Sequence, residues 1–332
     1  MQEAALSVDR LTVRFRTLRG EVKAVTDVSL SLPRGGVLAV VGESGSGKSV
    51  TARAIMGLVT SDNATVSAEG LSLAGRDLLT MAPEARQGLR GSAISLVFQD
   101  ALSALNPVLT VGSQLAEPFR IHQGLSRRDA RDRAVDLLRR VRIPSAERRI
   151  NDYPHQFSGG MRQRLLIAVG IALNPEVLIA DEPTTALDVT VQAQILDLLD
   201  ELRRDLDMAI LLITHDLGVV ARLAEDVAVM YAGRIVETAP AERLFARPAH
   251  PYTSALFASA PRISVAAALK PIGGSPPDLV APPQGCAFHP RCSRRSALCV
   301  AQRPPLMPTG AGLAVACHHP QDTEDGGRID AG

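Results

Sequence analysis

Eight consecutive residues, Gly42-Glu43-Ser44-Gly45-Ser46-Gly47-Lys48-Ser49, fit the pattern G-x-x-x-x-G-K-[ST] in full. This is the glycine loop whose backbone N–H groups cradle phosphates. Glycines at 42, 45 and 47 let the backbone curl around the phosphates without Cβ clashes, with Ser44 and Ser46 among the loop's phosphate-binding residues. Lys48 is expected at the β/γ-phosphates and the Ser49 hydroxyl at a Mg²⁺ ion. Lysine is scarce here, with only Lys23, Lys48 and Lys270 in the chain, so one kept inside this loop is telling. A second small-residue turn, Ser158-Gly159-Gly160-Met161, also opens an apolar helix but carries no lysine. Unpaired N–H groups and the positive dipole end make each helix start an anion site. The chain holds the remaining parts for one nucleotide only. The second turn therefore reads as a half-site for a nucleotide held by another subunit.

Three further polar positions end apolar runs. Val177-Leu178-Ile179-Ala180 leads to Asp181-Glu182, and Ile210-Leu211-Leu212-Ile213 leads to Thr214-His215. Asp181 suits the carboxylate that holds Mg²⁺, and Glu182 suits the residue that orients or deprotonates an attacking water. His215 is placed to hydrogen-bond a γ-phosphate. Gln99, after Ile94-Ser95-Leu96-Val97-Phe98, reads as a bridge from the metal site to a helical region and as a possible metal ligand. Phosphoryl transfer passes through a loose transition state, so such a set works by positioning and charge neutralisation.

These residues need a particular scaffold. Val37–Val41 and the two runs above are short, continuous and apolar, as buried parallel strands are. Sites in such sheets lie at the carboxyl ends of strands. Residues 5–32 alternate apolar and polar about a turn near Arg19-Gly20, predicting an antiparallel hairpin. From about 100 to 175 the pattern is helical. Ser126 and Asp129 form a capping-box-like start for an arginine-rich amphipathic helix running to about Arg142. Prolines crowd beyond residue 238, and Gly273–Pro283 is rich in Pro and Gly. That shift predicts a loop-rich appendage on a semi-rigid linker, followed by a disordered polar tail beyond Pro320.

Composition narrows the function classes. The chain has 332 residues and a net charge of +1, which gives no electrostatic footprint for a nucleic-acid partner. The first residues, MQEAALSVDR, do not read as a secretory signal. No apolar stretch approaches the ~20 residues needed to cross a bilayer, so a membrane link is expected through partners.

All four cysteines, Cys286, Cys292, Cys299 and Cys317, fall in the appendage with spacing C-x5-C-x6-C-x17-C. Close C-x2-4-C pairs typical of structural zinc are absent. Four thiolates with looser spacing suit an iron–sulfur cluster, although the spacing differs from common ferredoxin patterns. Cluster, zinc and no metal all remain open on these residues. His289, His318 and His319 are nearby donors expected on exposed loops.

Together these motifs resemble the ATP-binding-cassette (ABC) ATPases, the engine subunits of membrane transporters. GESGSGKS resembles the Walker A motif, VLIADEP the Walker B segment and FSGGM the cassette signature. Gln99 falls at the Q-loop, Ala186-Leu187-Asp188 at the D-loop and His215 at the switch histidine. Phe15 falls where the family stacks an aromatic on adenine. One departure is Met161, where the family's common signature has Gln. The resemblance implies an α/β P-loop NTPase fold with a RecA-like parallel sheet. To this core it adds an N-terminal antiparallel β subdomain, a helical signature subdomain at about 100–175 and a Cys-containing C-terminal extension. It divides the chain at 1–237 and 238–332. It also implies ATP hydrolysis with Mg²⁺, in which Ser158, Gly159, Gly160 and Asp188 serve a neighbouring chain's nucleotide.

His250-Pro251-Tyr252-Thr253, Gly285-Cys286-Ala287-Phe288, Arg291-Cys292 and Cys317-His318 resemble the C-terminal region of oligopeptide/dipeptide importer ATPases. In that family the cysteines can hold a [4Fe-4S] cluster. The implied partners are a second ABC ATPase chain, two transmembrane permease subunits and an extracytoplasmic peptide-binding protein. The implied place is the cytoplasmic face of a bacterial plasma membrane. Importers of nickel and other small solutes share the extension. Soluble cassette ATPases usually fuse two cassettes or are strongly basic, and the intact Glu182 and His215 argue against a merely regulatory module.

Overall fold

The computed structural model describes residues 4–185, 187–259, 271–310 and 312–321. Ala186 of the D-loop, Lys270 and the polar tail from residue 322 onward lie outside the described residues. The chain forms two compact units. One comprises the chain through Ser7 with Ser31–Val37 and Gly70–Ile213, the other Val8–Leu30, Leu38–Glu69 and the chain from Thr214 onward.

In the first unit, strand Val177–Asp181 lies between Ile94–Val97 and Ala209–Thr214, parallel to both. Val177 pairs with Ile94 on one side and with Ala209 on the other. Every residue of Val177–Asp181 and of Ala209–Thr214 is buried, which explains why both read as unbroken apolar runs rather than alternating ones. Each buried Leu, Ile or Val contributes roughly 1.5–3 kcal/mol relative to an exposed one.

Helices Val111–Gln123, Arg127–Arg140, Gly159–Ile171 and Val189–Leu206 complete this unit. The predicted start at Ser126 is observed: its hydroxyl accepts the Asp129 N–H at 3.2 Å and donates to the Asp129 carboxylate at 2.7 Å. The arginines of that helix point outward while Ala130, Ala134, Leu137 and Leu138 are buried.

The second unit holds the N-terminal hairpin. Strands Ala4–Thr17 and Gly20–Pro33 run side by side, and Ala64–Ser67 pairs antiparallel with the first, Phe15 facing Ala64. Strand Val37–Val41 is fully buried and pairs parallel with Asp226–Tyr231. Strand Arg234–Pro240 returns antiparallel to Asp226–Tyr231, and Leu313–Val315 then Met307–Gly310 add to it in turn. The boundary drawn after residue 237 falls inside strand Arg234–Pro240. Among the described residues the appendage is mostly loop, punctuated by helices Ala241–Ala246, Pro251–Ser259 and Ala297–Ala301.

Candidate active site

The glycine loop leaves the end of Val37–Val41 and feeds helix Lys48–Ile55. Gly42, Gly45 and Gly47 have φ of +156°, +78° and +108°. At Gly42 a Cβ would stand 2.1 Å from the Met230 carbonyl oxygen, and at Gly47 2.5 Å from that of Ala24. Side chains are thus excluded twice over, by conformation and by packing. The helix has no side-chain cap and no acidic residue in its first turn, so its leading amides are suited to an anion. Lys48 is 5% exposed. Its ammonium arches back over the loop, donating to the carbonyls of Gly42 at 2.7 Å and Glu43 at 2.9 Å.

In the first unit Asp181 ends its strand and is 4% exposed. Glu182 follows in the left-handed region at φ +49°, a conformation costing a non-glycine residue about 1 kcal/mol or more. Its N–H is fixed to the Ile213 carbonyl at 2.7 Å. One carboxylate oxygen accepts from the Gln99 amide at 2.7 Å and from the Thr185 hydroxyl at 2.9 Å. The structure therefore joins Gln99 and Glu182 directly, a link the sequence did not reveal. Thr185 is an additional orienting group. Mg²⁺ prefers hard oxygen donors and usually takes one or two carboxylates plus substrate phosphates. The buried Asp181 carboxylate and the Ser49 hydroxyl have that chemistry.

The second turn differs. Ser158 caps helix Gly159–Ile171, its hydroxyl accepting from the Met161 N–H at 3.4 Å. Ser158 and Gly159 are exposed. At Gly160 a Cβ would meet a Val191 methyl at 2.5 Å. Asp188 caps helix Val189–Leu206, accepting from the Val191 N–H at 2.9 Å. In the second unit His215 is exposed at the end of its strand, and Phe15 is half-buried on the hairpin.

All four cysteines line one cavity of the second unit, together with His289, His318 and His319, and all four are free thiols. The His319 N–H donates to the Cys317 sulfur at 3.3 Å, and the His289 N–H donates to the Cys286 carbonyl at 3.0 Å. Burial pushes the Cys286, Cys292 and Cys317 thiols up, Cys317 to about 11, against the opposing pull of nearby backbone N–H groups. Neighbouring sulfurs raise them further. Among the described residues no three His, Cys, Asp or Glu side chains gather closely enough to hold a metal ion, so this arrangement does not support the expected cluster. The histidines also differ from expectation. They are half-buried and engaged: His289 with the Cys286 carbonyl, His318 with that of Gln302, and His319 with the Ser296 hydroxyl.

Sequence reasoning missed a tie within the second unit. Arg291, whose side chain is 4% exposed, grips the Glu43 carboxylate with both terminal nitrogens at 2.7 and 2.9 Å. The Tyr252 hydroxyl accepts the Glu43 N–H at 2.9 Å. Residues 248 positions apart leave no pattern that a local reading detects. The only signal was that Tyr252 and Arg291 belong to the quoted motifs.

Residues 25–185 match the family model described as ABC transporter, and 236–299 that of the oligopeptide/dipeptide transporter C-terminal region. The dipeptide transport ATP-binding protein DppD of Bacillus subtilis (strain 168) is 49% identical over 298 residues, 90% of this chain and 89% of its own. DppD of Lactococcus lactis subsp. cremoris (strain MG1363) is 50% identical over 308 residues, covering 92% and 88%. The oligopeptide transport ATP-binding protein OppD of B. subtilis is 48% identical over 304 residues, 91% and 85%. Among solved structures, the dimeric post-hydrolysis state of the ATP-binding cassette MJ0796 bound to ADP and Pi superposes with a TM-score of 0.63. It is 26% identical, with 71% of this chain and 98% of that one covered.

Proposed function

The chain belongs to the ABC transporter family, and on that premise we propose that it is the ATP-hydrolysing subunit of a di- or oligopeptide importer. The observation that carries this reading is the pairing of a complete phosphate loop with the importer-type C-terminal region in one chain. No described helix is long and apolar enough to cross a membrane. Translocation then falls to two permease subunits, with an extracytoplasmic binding protein delivering the peptide and this chain docked at the cytoplasmic face of the membrane.

The loop amides and Lys48 bind and neutralise the β/γ-phosphates of ATP. Ser49, Asp181 and Gln99 would hold Mg²⁺, whose chemistry when bound would be neutralisation of phosphate charge. Glu182, anchored by its fixed N–H and by Gln99 and Thr185, orients the attacking water and takes its proton. His215 reports the γ-phosphate, and Phe15 stacks on adenine. Ser158, Gly159, Gly160 and Asp188 act on ATP bound by the second ATPase chain, so closure of the pair completes both sites. Met161 replaces a side chain, while the serine hydroxyl and the two glycine amides still offer the phosphate contact. Lys48→Ala should abolish ATP binding and turnover in the purified chain; unchanged turnover refutes the assignment.

The four thiols have the chemistry of an iron–sulfur site, and we propose a [4Fe-4S] centre there. Its support is four free thiols lining one cavity and the His319 N–H donated to the Cys317 sulfur; the thiols would have to draw closer together than they stand here to hold it. Anaerobic purification should give a brown protein absorbing near ~400 nm; a colourless product with bound zinc, or with no metal, overturns this.

A further inference from the structure

Glu43 is held at every polar group it has. Its N–H donates to the Tyr252 hydroxyl at 2.9 Å, its carboxylate takes the Arg291 fork, and its carbonyl accepts the Lys48 ammonium at 2.9 Å and the Ser46 N–H at 3.2 Å. Two of these handles come from the C-terminal extension. The other two reach the lysine and the turn that would face the phosphates.

Arg291 is itself fixed. Its Nε donates to the Gly273 carbonyl at 2.8 Å, and its terminal nitrogens also reach the Tyr231 hydroxyl and the Ile272 carbonyl. The guanidinium lies over the Tyr231 and Phe288 rings at 5.9 and 6.0 Å. Tyr231, Tyr252 and Phe288 pack against one another with centroids 4.5–5.4 Å apart. A bidentate Arg–carboxylate pair gives geometric specificity as well as energy. Burial removes the competition from water that makes exposed pairs weak. A surface ornament would show neither the aromatic seat nor the second clamp on the same residue.

We propose that Arg291 and Tyr252 are positioning residues for ATP binding, setting the phosphate loop and Lys48 through Glu43. The extension is then a working part of the nucleotide site. This rests on the ATPase reading above. A phosphate loop free to sample other shapes must be ordered when ATP binds, at a cost in affinity. The extension orders it beforehand.

The test is ATP affinity and steady-state hydrolysis in the full-length chain carrying Arg291→Met, Arg291→Lys, Tyr252→Phe or Glu43→Gln, with thermal melting alongside. Hydrogen bonds to charged groups are worth about 1.5–3 kcal/mol, a factor of roughly 10–160. Arg291→Met is expected to raise Kd and KM for ATP about tenfold or more, with kcat changed less. Arg291→Lys should recover part of the affinity, and Tyr252→Phe should cost about threefold. Adding Glu43→Gln to Arg291→Met should cost little beyond either alone, because both break one pair. A lowered Tm with Kd and KM unchanged makes the pair merely structural and overturns the proposal. If Arg291→Met does not fold, Glu43→Gln reads the same link from the loop side, and wild-type affinity there overturns it equally. A wild-type chain that binds no ATP sinks the ATPase reading instead.

Discussion

The two glycine turns look alike as strings and are built in opposite ways. In Gly42–Ser49 the backbone takes three positive φ values, Gly42 and Gly47 press against other main chain, and the lysine is buried. In Ser158–Gly160 neither glycine has a positive φ, and the serine and first glycine are exposed. The hydroxyl of Ser158 caps its own helix and still has a proton to donate. The first turn is shaped from inside to close on a ligand. The second is an ordinary capped helix start whose polar groups face outward, fit for a ligand that something else carries. Similar composition therefore settles into two different backbone shapes and packing environments.

The sharpest way to break this contrast is Glu182→Gln. Loss of a general base should cut turnover about 10²–10⁴-fold while leaving ATP bound and the ATPase pair trapped closed; phosphate release and size-exclusion elution with ATP check both, and near-wild-type turnover removes Glu182 from the mechanism. Next is Ser158→Arg. The isolated chain should bind ATP with unchanged affinity while hydrolysis by the assembled pair falls more than about tenfold, the scale of one lost charged hydrogen bond. Lost affinity in the isolated chain would merge the two turns into one site.

A smaller effect separates the glycines. Gly47→Ala should cost about 1–3 kcal/mol from backbone strain and overpacking, whereas Gly159→Ala, whose new Cβ meets nothing closer than 3.7 Å, should stay within about 0.5 kcal/mol. Denaturant melts of both give the ordering. The smallest is Ser158→Ala, which removes a cap worth about 1 kcal/mol. Ser158→Asp should restore the melting point, since Asp caps as well, yet repel phosphate and leave paired hydrolysis impaired. Restored hydrolysis with Asp would mean the hydroxyl matters only as a cap.

Much of this was legible in sequence because it is local. The phosphate loop, the buried runs before Asp181 and His215, and the Ser126 cap each depend on neighbours within about ten positions, where spacing and periodicity carry the signal. The Gln99–Glu182 link was half visible: both residues stood out, but only three-dimensional pairing shows that the Gln99 amide donates to the Glu182 carboxylate. The Arg291–Glu43 clamp was invisible, because nothing in either segment specifies a partner 248 residues away. The Pro- and Gly-rich composition beyond residue 238 pointed to loops, and the short elements set among them left no local signal. Strands Met307–Gly310 and Leu313–Val315 form by joining an existing edge, so their stability comes from a neighbour rather than from their own propensity.

That clamp also sets a timetable for synthesis. Glu43 is made early and Arg291 late, and ribosomes add about 5–20 residues per second. The loop therefore emerges roughly 12–50 s before the guanidinium that holds it, on the same elongation rate. Through that interval a nascent chain carries the motif without its clamp, which forms only once residue 291 has emerged.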